Sequence, residues 1–397
     1  MYNTIGGTTP SVRNVICGNG GSDAGIEVTA GNHNIIQGNH IGVDMTGEAA
    51  IPNAIWGIRL YSTQSNTVGG STPGSGNIIC GHLFSGIFLY WGSASNIIQG
   101  NYIGTNQTLA TGFGNAFGID FQDSPQDNKI GGSNPGEANT IWYNTHDGIR
   151  VLSGIRNKFL CNSINANTNL GIELGSDGVT VNDSADVDGG PNARQNFPVL
   201  TNIIGDASKT IIEGSLNSTP NNTFLLQFFH NTANDPTGYG EGEVFFADSS
   251  VTTDAMGDVS FSFTFDGVSV PDGSYITATA TRNQSGTSEF SQAIPATLMT
   301  LDGHVVSTDL QLDWTTISSA NEYWVYGANN DAFFPPGILS PYNYRLTVLP
   351  SGTTTWSSSN GIGDDANNWT YVVIAVDGSG TEIFRTNRFG AFDFLMP

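Results

Sequence analysis

NTIGGTTP, at residues 3–10, is the first of three near-copies of one octapeptide. Residues 66–73 read NTVGGSTP and residues 128–135 read NKIGGSNP, at offsets of 63 and 62 residues. Self-similarity at a nearly fixed period indicates one structural unit that is stacked several times. Because the first copy begins at Asn3, in the middle of a unit, we expect the array to be truncated at its N terminus.

Each long unit contains two shorter units, and each short unit is marked by a Gly-Ile pair. The pairs are Gly25-Ile26, Gly57-Ile58, Gly86-Ile87, Gly118-Ile119, Gly148-Ile149 and Gly171-Ile172. Short β-type runs alternate with Gly and Asn turns, and no segment keeps the 3.6-residue apolar period of a helix. A unit with two or three short strands cannot bury its apolar face alone, but stacked coils can. The sequence therefore predicts a parallel β-helix of about six coils over residues 1–192.

Two strings connect this repeat to a known family. GNHIG at residues 38–42 and GNYIGTN at residues 100–106, each followed by Thr- and Gly-rich loops, resemble the right-handed parallel β-helix repeat proteins, which are related in fold to pectin lyases. The resemblance covers roughly residues 3–190 and implies a right-handed coil. It implies no single activity, because enzymes, tailspikes and inert stalks share this architecture.

The rest of the chain predicts two further all-β domains. Longer alternating runs at residues 223–229 and 259–265 favour an antiparallel β-sandwich over residues 193–297, and this segment resembles the sandwich that follows such β-helices in bacterial surface proteins. Within residues 298–397, the strings LQLDW (310–314) and YVVIAVD (371–377) resemble a fibronectin type III module, which implies that Trp314 is a core residue. The predicted fold class is all-β, a right-handed parallel β-helix followed by two β-sandwich domains.

Composition limits the partners of the chain. It has 35 acidic and 12 basic side chains and a formal charge of -23, so we expect it to bind neither nucleic acid nor anionic membranes. No stretch approaches the ~20 apolar residues of a membrane span, and membrane insertion is not expected. The three cysteines are too few for a disulfide framework. Cys17 and Cys80 occupy equivalent places two coils apart, roughly 9.6 Å, so we predict buried free thiols.

The residues after the Gly-Ile pairs predict a surface. If each Ile points inward, the next side chain points outward, because side chains alternate along a strand. The outward column is then Glu27, Arg59, Phe88, Asp120, Arg150 and Glu173. Opposite charges are neighbours at both ends of this column, which is typical of a solvent-facing sheet.

Aromatic side chains make part of this surface a candidate glycan-binding site. Tyr61 and Tyr90 occupy the next outward column, and with Phe88 they predict an exposed platform on which sugar rings could stack. A long loop that covers these rings is the alternative.

One coil concentrates candidate acid and base groups. His146, Asp147 and Arg150 are the weak candidates for catalysis by a polysaccharide lyase or epimerase, which needs a base and a cation beside a uronate carboxylate. The alternative is structural, since Asp147 holds a turn position. A hydrolase would need two carboxylates across one groove, and Asp120 and Asp123 are the nearest pair. The catalytic strings of polygalacturonases and alginate epimerases do not occur in this sequence, which counts against an enzyme.

The segment that follows the last Gly-Ile pair is strongly acidic. Asp183, Asp186 and Asp188 lie close together among Asn and Gly residues, and such oxygens are the ligands that Ca²⁺ requires. The sequence predicts a calcium site here, with a solvated acidic linker as the alternative.

These features together favour an extracellular protein, secreted or on the cell surface, that is structural or adhesive and not catalytic. Polysaccharides or cell-surface glycans are the expected partners. A polysaccharide lyase, hydrolase or epimerase that uses a groove of the β-helix is the alternative function. The first coil has no visible cap, so its open edge could also pair with another chain end to end and build fibres.

Overall fold

A computed structural model gives the structure of the chain. It describes residues 2–21, 23–206, 208–271, 273–299, 301–306, 309–317, 320–329, 343–358, 369–386 and 389–391. The chain divides into two compact units. Unit 1 comprises residues 1–201, 213–262 and 274–294, and unit 2 comprises residues 202–212, 263–273 and 295–397.

Three parallel six-stranded sheets form the N-terminal part of unit 1. Their strands, in chain order, are β1 (Thr4–Gly6), β2 (Val15–Ile16), β3 (Ala24–Thr29), β4 (Ile35–Gln37), β5 (His40–Ile41), β6 (Trp56–Tyr61), β7 (Thr67–Gly69), β8 (Ile78–Ile79), β9 (Ser85–Tyr90), β10 (Ile97–Gln99), β11 (Tyr102–Ile103), β12 (Phe117–Gln122), β13 (Lys129–Gly131), β14 (Thr140–Trp142), β15 (Ile149–Val151), β16 (Lys158–Leu160), β17 (Ser163–Asn165) and β18 (Ile172–Leu174).

Consecutive strands visit the three sheets in turn. Sheet 1 has the order β1-β4-β7-β10-β13-β16, sheet 2 the order β2-β5-β8-β11-β14-β17, and sheet 3 the order β3-β6-β9-β12-β15-β18. This arrangement is a parallel β-helix, so the predicted fold class is confirmed. The Gly-Ile pairs lie in sheet 3, and their isoleucines are in register from Ile26 to Ile172.

Stacked columns of apolar side chains fill the interior of the coil. The Ile of each pair points inward, and a second inward column in sheet 3 contains Leu60, Leu89, Phe121, Val151 and Leu174, all buried. Sheets 1 and 2 contribute one inward column each, with Ile98 and Ile103 as fully buried examples. Each coil therefore buries its apolar side chains against those of the coils above and below it.

Asparagine side chains join the coils at three corners. In each of the three columns, an Asn donates from its backbone N–H and its Nδ2 to the Oδ1 of the Asn in the next coil, except that Asn157 donates only its backbone N–H to Asn192 Oδ1. The first column contains Asn3, Asn34, Asn66, Asn96, Asn128, Asn157 and Asn192. The second contains Asn14, Asn39, Asn77, Asn101, Asn139 and Asn162. The third contains Asn19, Asn53, Asn115, Asn144 and Asn167, with His82 in the position between Asn53 and Asn115.

The chain after the coils folds back onto the last coil within unit 1. Ile164 exchanges two backbone hydrogen bonds with Gly242, and the backbone N–H of Phe159 donates to Thr287 Oγ1. The Glu241 carboxylate accepts from Asn167, the last member of the third column. Phe290 packs on the interior of the coil at Gly171. The edge of the last coil is thus covered, and an end-to-end contact between chains would have to use other surfaces. Self-association remains a prediction.

Sheets that are mainly antiparallel make up the remainder of the described strands, with β19 and β27 as a parallel pair. The strands are β19 (Val199–Gly205), β20 (Lys209–Asn217), β21 (Thr223–Asn231), β22 (Val244–Thr252), β23 (Asp258–Asp266), β24 (Tyr275–Arg282), β25 (Gly286–Thr287), β26 (Ile294–Pro295), β27 (Thr297–Leu298), β28 (Leu301–Val306), β29 (Asp309–Trp314), β30 (Glu322–Asn329), β31 (Asn343–Pro350), β32 (Thr355–Ser358), β33 (Trp369–Val376), β34 (Glu382–Arg385) and β35 (Phe389–Ala391). Short 3-10 helices lie at Pro10–Val12, Ser184–Asp186 and Pro191–Arg194.

Unit 2 has a sandwich-like pair of sheets, β28-β29-β32 and β31-β30-β33-β34, with β35 also paired to β33. Trp314, Tyr323 and Val373 are buried in its core, so the predicted core position of Trp314 is confirmed. None of the helices in the described residues has the length and apolarity needed to cross a membrane.

The cysteines agree with the β-helix in part. All three are free. Cys80 is fully buried, as predicted, and burial raises the pKa of its thiol. The prediction that Cys17 is also buried is wrong, since it is only half-buried. It lies in the first coil of the described array, where no further coil covers it.

Candidate functional site

The candidate site lies on the outer face of sheet 3. Register pairing places Arg59 beside Glu27 and Phe88, and Arg150 beside Asp120 and Glu173, as the alternation of side chains predicts. This outer face carries an aromatic surface over the early coils and an acidic cleft over the last coils.

We call the cluster of Trp56, Tyr61, Phe84, Phe88, Tyr90 and Trp91 the aromatic face. Tyr61 and Tyr90 are paired in register, with ring centroids 5.6 Å apart. Trp91 follows β9 in a left-handed backbone conformation and is 55% exposed. The centroids of the Trp91 and Tyr61 rings lie 6.2 Å apart, and the angle between the two ring planes is 17°. Phe88 is only 4% exposed, because Trp56 stacks on it at 5.3 Å and Tyr90 at 5.2 Å. Of the three residues predicted to form an exposed platform, Tyr61 and Tyr90 are half-buried, and the prediction that Phe88 is exposed is wrong because its ring stacks against those of Trp56 and Tyr90.

Two charged groups border the aromatic face. The Arg59 guanidinium lies 5.1 Å from the Trp56 ring and 5.2 Å from the Tyr61 ring, within the range of cation–π attraction. Its Nε has no hydrogen-bond partner among the described residues. A hydrogen bond to Asp123 raises the pKa of the Tyr90 hydroxyl. The face therefore offers ring surfaces with a guanidinium and a carboxylate at its border.

The loop at residues 104–116 does not cover these rings. Its Phe113 packs with Val43, Ile78 and Cys80, which belong to the side of sheet 2. Asn106 in the same loop donates to the Gly47 carbonyl at 3.0 Å. This loop therefore leaves the aromatic face open.

The acidic cleft has a volume of about 430 Å³ and brings together the three residues predicted for catalysis, His146, Asp147 and Arg150. Glu173 from the next coil also lines it. The His146 ring packs against Phe117 at 5.0 Å. Burial raises the pKa of Asp147, although the carboxylate accepts a 3.3 Å hydrogen bond from the Leu170 N–H.

Arg150 forms an ion pair with Asp120, which lies on the preceding coil. Its Nε and Nη2 both donate to the Asp120 carboxylate at 3.0 Å, and its guanidinium carbon lies 3.5 Å from the centre of the Phe117 ring. Asp120 is fully buried and also accepts from Gln122. This bidentate ion pair neutralises the guanidinium charge, so Arg150 is not a free cation for a substrate carboxylate. Asp120 is equally unavailable as one of a pair with Asp123.

No protein-family profile matches the chain, and no curated protein sequence is significantly similar to it. Similar solved structures include the FN1–FN3 domains of chicken CNTN1, with 13% identity, 50% of this chain and 67% of that chain covered, and a TM-score of 0.19. A two-domain fibronectin type III segment of chicken tenascin has 10% identity, covers 49% and 98%, and has a TM-score of 0.17. A β-1,2-glucanase from Parabacteroides distasonis has 12% identity, covers 48% and 31%, and has a TM-score of 0.20. With TM-scores this low, none of these likenesses bears on the function of the chain.

The predicted calcium ligands lie together in a separate cluster. Oxygen atoms of Asp183, Asp186 and Asp188 lie within 4.8 Å of one another. Asp183 Oδ2 accepts the N–H groups of Val187 and Asp188, whereas Asp183 Oδ1 and Asp188 Oδ1 are buried with no partner among the described residues. Burial raises the pKa of Asp186, and burial together with the charge of Asp183 raises that of Asp188. Partnerless carboxylate oxygens at this spacing fit a hard cation.

Sequence reasoning missed several members of the outer face. Trp91 lies in the turn after β9, where the alternation rule for strands does not apply. Trp56 and Phe84 precede the Gly-Ile pairs and were not assigned a direction. Glu173 was assigned to the outward column but not to a cleft, because only the structure shows that Thr168, Asn169 and neighbouring residues enclose it.

Proposed function

We propose that the chain is an extracellular, non-catalytic glycan-binding protein, secreted or on the cell surface, that uses the aromatic face of sheet 3. The observation that carries this proposal is the pair of nearly parallel rings of Tyr61 and Trp91, because flat exposed aromatic surfaces suit the apolar faces of sugar rings. The Arg59 guanidinium, 5.2 Å from the Tyr61 ring, adds a positive charge beside these rings.

Arg150 is paired with Asp120. Lyase chemistry needs an available cation at the substrate carboxylate, so this pairing favours glycan binding over a lyase. The grouping of His146, Asp147 and Glu173 in one cleft is what favours the second candidate, a polysaccharide lyase, hydrolase or epimerase.

A Trp91→Ala substitution tests the proposed face. We expect it to weaken retention on neutral polysaccharides about tenfold, because stacking on an exposed ring contributes ~0.5–1.5 kcal/mol and the Trp91 ring also packs against Tyr61. The measurement is affinity electrophoresis of the full chain on a panel of soluble polysaccharides.

Tyr143→Ala is the matched control, because Tyr143 is another aromatic residue in a left-handed turn, outside sheet 3. Equal retention of both variants and the unaltered chain would contradict the proposed face. Release of sugar products that is lost in His146→Ala would instead establish the enzymatic alternative.

We also propose that Asp183, Asp186 and Asp188 bind Ca²⁺. A ligand that binds only the folded chain at a hundred times its Kd adds about 2.7 kcal/mol to the free energy of unfolding. We therefore expect millimolar Ca²⁺ to raise the unfolding midpoint of the chelator-treated protein by roughly 5 °C. Differential scanning calorimetry measures this shift. Asp188→Asn should abolish the shift and Asp23→Asn, at an exposed site, should preserve it; a midpoint that ignores Ca²⁺ in the unaltered chain excludes the site.

A further inference from the structure

Glu173 has no ion-pair partner among the described residues, because the neighbouring Arg150 pairs with Asp120. Asp120 and Glu173 flank Arg150 in register on the two neighbouring coils. Arg150 donates from Nε and from Nη2 to the Asp120 carboxylate, each at 3.0 Å. No ion pair joins Arg150 to Glu173 among the described residues. Glu173 is only 5% exposed, and its Oε1 has no hydrogen-bond partner in the part of the chain that the structure describes. A buried oxygen with no donor is costly, so this atom marks a place for a group that donates.

The surroundings of Glu173 indicate the charge of that group. Asp147 lines the same cleft, Asp177 lies close by, and Glu289 behind β18 accepts from the backbone N–H of Leu174. The positively charged or titratable bases among the lining residues are Arg150, which Asp120 neutralises, and His146. An anionic sugar would meet several carboxyl groups here, whereas a cation would relieve their mutual repulsion.

The cleft also has the size and surface for a sugar. Its volume of about 430 Å³ falls within the range of small-molecule sites, ~300–1,000 Å³. Phe117 and His146 give it an aromatic wall, and Thr168 and Asn169 add hydroxyl and amide groups. These groups suit a ring with hydroxyl substituents.

We propose that the cleft binds the protonated amino group of an amino sugar, with Glu173 Oε1 accepting from the ammonium and Asp147 supplying a second carboxylate. This inference rests on the proposed glycan-binding function and adds a ligand class for the cleft, a glycan of unacetylated hexosamines, beside the neutral glycans expected at the aromatic face. No covalent step is involved. An acetylated amino sugar has no charge to offer and lacks the ammonium donors.

Binding of such a ligand is coupled to a proton. Burial, together with the charges of Glu289, Asp147 and Asp177, raises the pKa of Glu173 to about 8. At pH 6.5 the acid therefore holds its proton in the free protein, and an ammonium ion favours the ionised form. Binding of the ammonium at this pH should release about one proton per site, and this release is a property of Glu173 that a merely structural carboxyl would not have.

The experiment compares β-1,4-linked trisaccharides of glucosamine and of N-acetylglucosamine by isothermal titration calorimetry at pH 6.5, in two buffers of different ionisation enthalpy. We expect Glu173→Gln to weaken binding of the glucosamine trisaccharide at least tenfold, to abolish proton release, and to leave the acetylated trisaccharide unaffected. Asp147→Asn should produce a smaller loss of the same kind. Glu48→Gln, at an exposed acid, is the control.

The outcomes separate this inference from the proposed function. Equal binding of both trisaccharides, unaffected by Glu173→Gln and weakened by Trp91→Ala, would overturn the amine site and leave the aromatic face standing. Binding of glucosamine that depends on Glu173 and not on Trp91 would support the cleft, and equal retention of Trp91→Ala and the unaltered chain on neutral polysaccharides would overturn the face. Absence of proton release when the unaltered chain binds the glucosamine trisaccharide would overturn the inference. This test needs no variant, so it holds even if Glu173→Gln fails to fold.

Discussion

Replacement of Asn101 by Ala is expected to lower the free energy of unfolding by about 3–5 kcal/mol, because each orphaned buried polar group costs ~1–3 kcal/mol. Asn101 is 1% exposed and belongs to the second asparagine column. Its Nδ2 donates to the carbonyls of Val68 and Gln99 and to Asn139 Oδ1, and its Oδ1 accepts from the backbone N–H and Nδ2 of Asn77. Alanine removes these five hydrogen bonds at a buried corner and leaves the backbone N–H of Asn77 without its acceptor, whereas Asn139 Oδ1 and the Gln99 carbonyl each keep one donor.

Denaturant-induced unfolding monitored by intrinsic fluorescence measures this effect. Asn14→Ala is the matched control, since Asn14 belongs to the same column but is exposed in the first coil of the described array. We expect a loss below about 1 kcal/mol for this variant, because the Asn14 side chain makes one hydrogen bond, to Asn39 Oδ1, and that oxygen keeps the backbone N–H of residue 14 as a donor. Similar losses for the two variants would show that the column does not stabilise the coil through its buried hydrogen bonds.

The architecture could be predicted because the repeat is explicit in the sequence. Three copies of one octapeptide fix the period, and the Gly-Ile pairs fix which residues of sheet 3 point inward. The Asn residues were visible as turn formers. Their pairing across coils was not, because it depends on how many residues each coil contains and on exact stacking at the corners. His82 occupies one of these corner positions without any signal in the sequence.

The candidate site was predictable only in part, and Arg150 shows why. The sequence gives it two carboxylates at equivalent distances along the column, Asp120 and Glu173. The choice depends on Phe117, which lies under the guanidinium on the side of Asp120, and on the burial of Asp120. Neither is a local property of the sequence. The unpaired Glu173 that results is the group on which the cleft depends.

A rise in pH from 6.5 to 8 is expected to destabilise unit 1 through Glu241. This residue is 3% exposed, and burial raises its pKa to about 8, although Asn167 Nδ2 donates to it at 2.8 Å. The nearby charge of Asp235 acts in the same direction as burial. In the unfolded chain the same carboxyl ionises near pH ~4.3. Between these two values the folded state binds more protons, so the free energy of unfolding falls as pH rises, by up to about 1.4 kcal/mol per pH unit for each such group.

The buried His82 limits the pH range over which the free energy of unfolding decreases. Burial lowers the pKa of His82 to about 4, so between about pH 4 and 6.5 the unfolded chain binds more protons at this residue. Stability conferred by neutral His82 is therefore lost as pH decreases, which opposes the effect of Glu241 below pH ~6.5. The net decrease in stability should appear above that value. Glu173, whose pKa is also raised to about 8, adds to it.

Unfolding by urea at half-unit intervals between pH 5 and 8.5 measures the profile, and Glu241→Gln tests its origin. Glutamine retains an acceptor for Asn167 Nδ2 but has no proton to lose, so this variant should be more stable than the unaltered chain at pH 8 and should have a shallower slope above pH 6.5. Glu48→Gln, at an exposed acid, should reproduce the unaltered profile. A Glu241→Gln profile that is parallel to that of the unaltered chain would mean that Glu241 is already ionised in the folded state. Its hydrogen bonds to the last asparagine of the third column would then outweigh the cost of burying its charge.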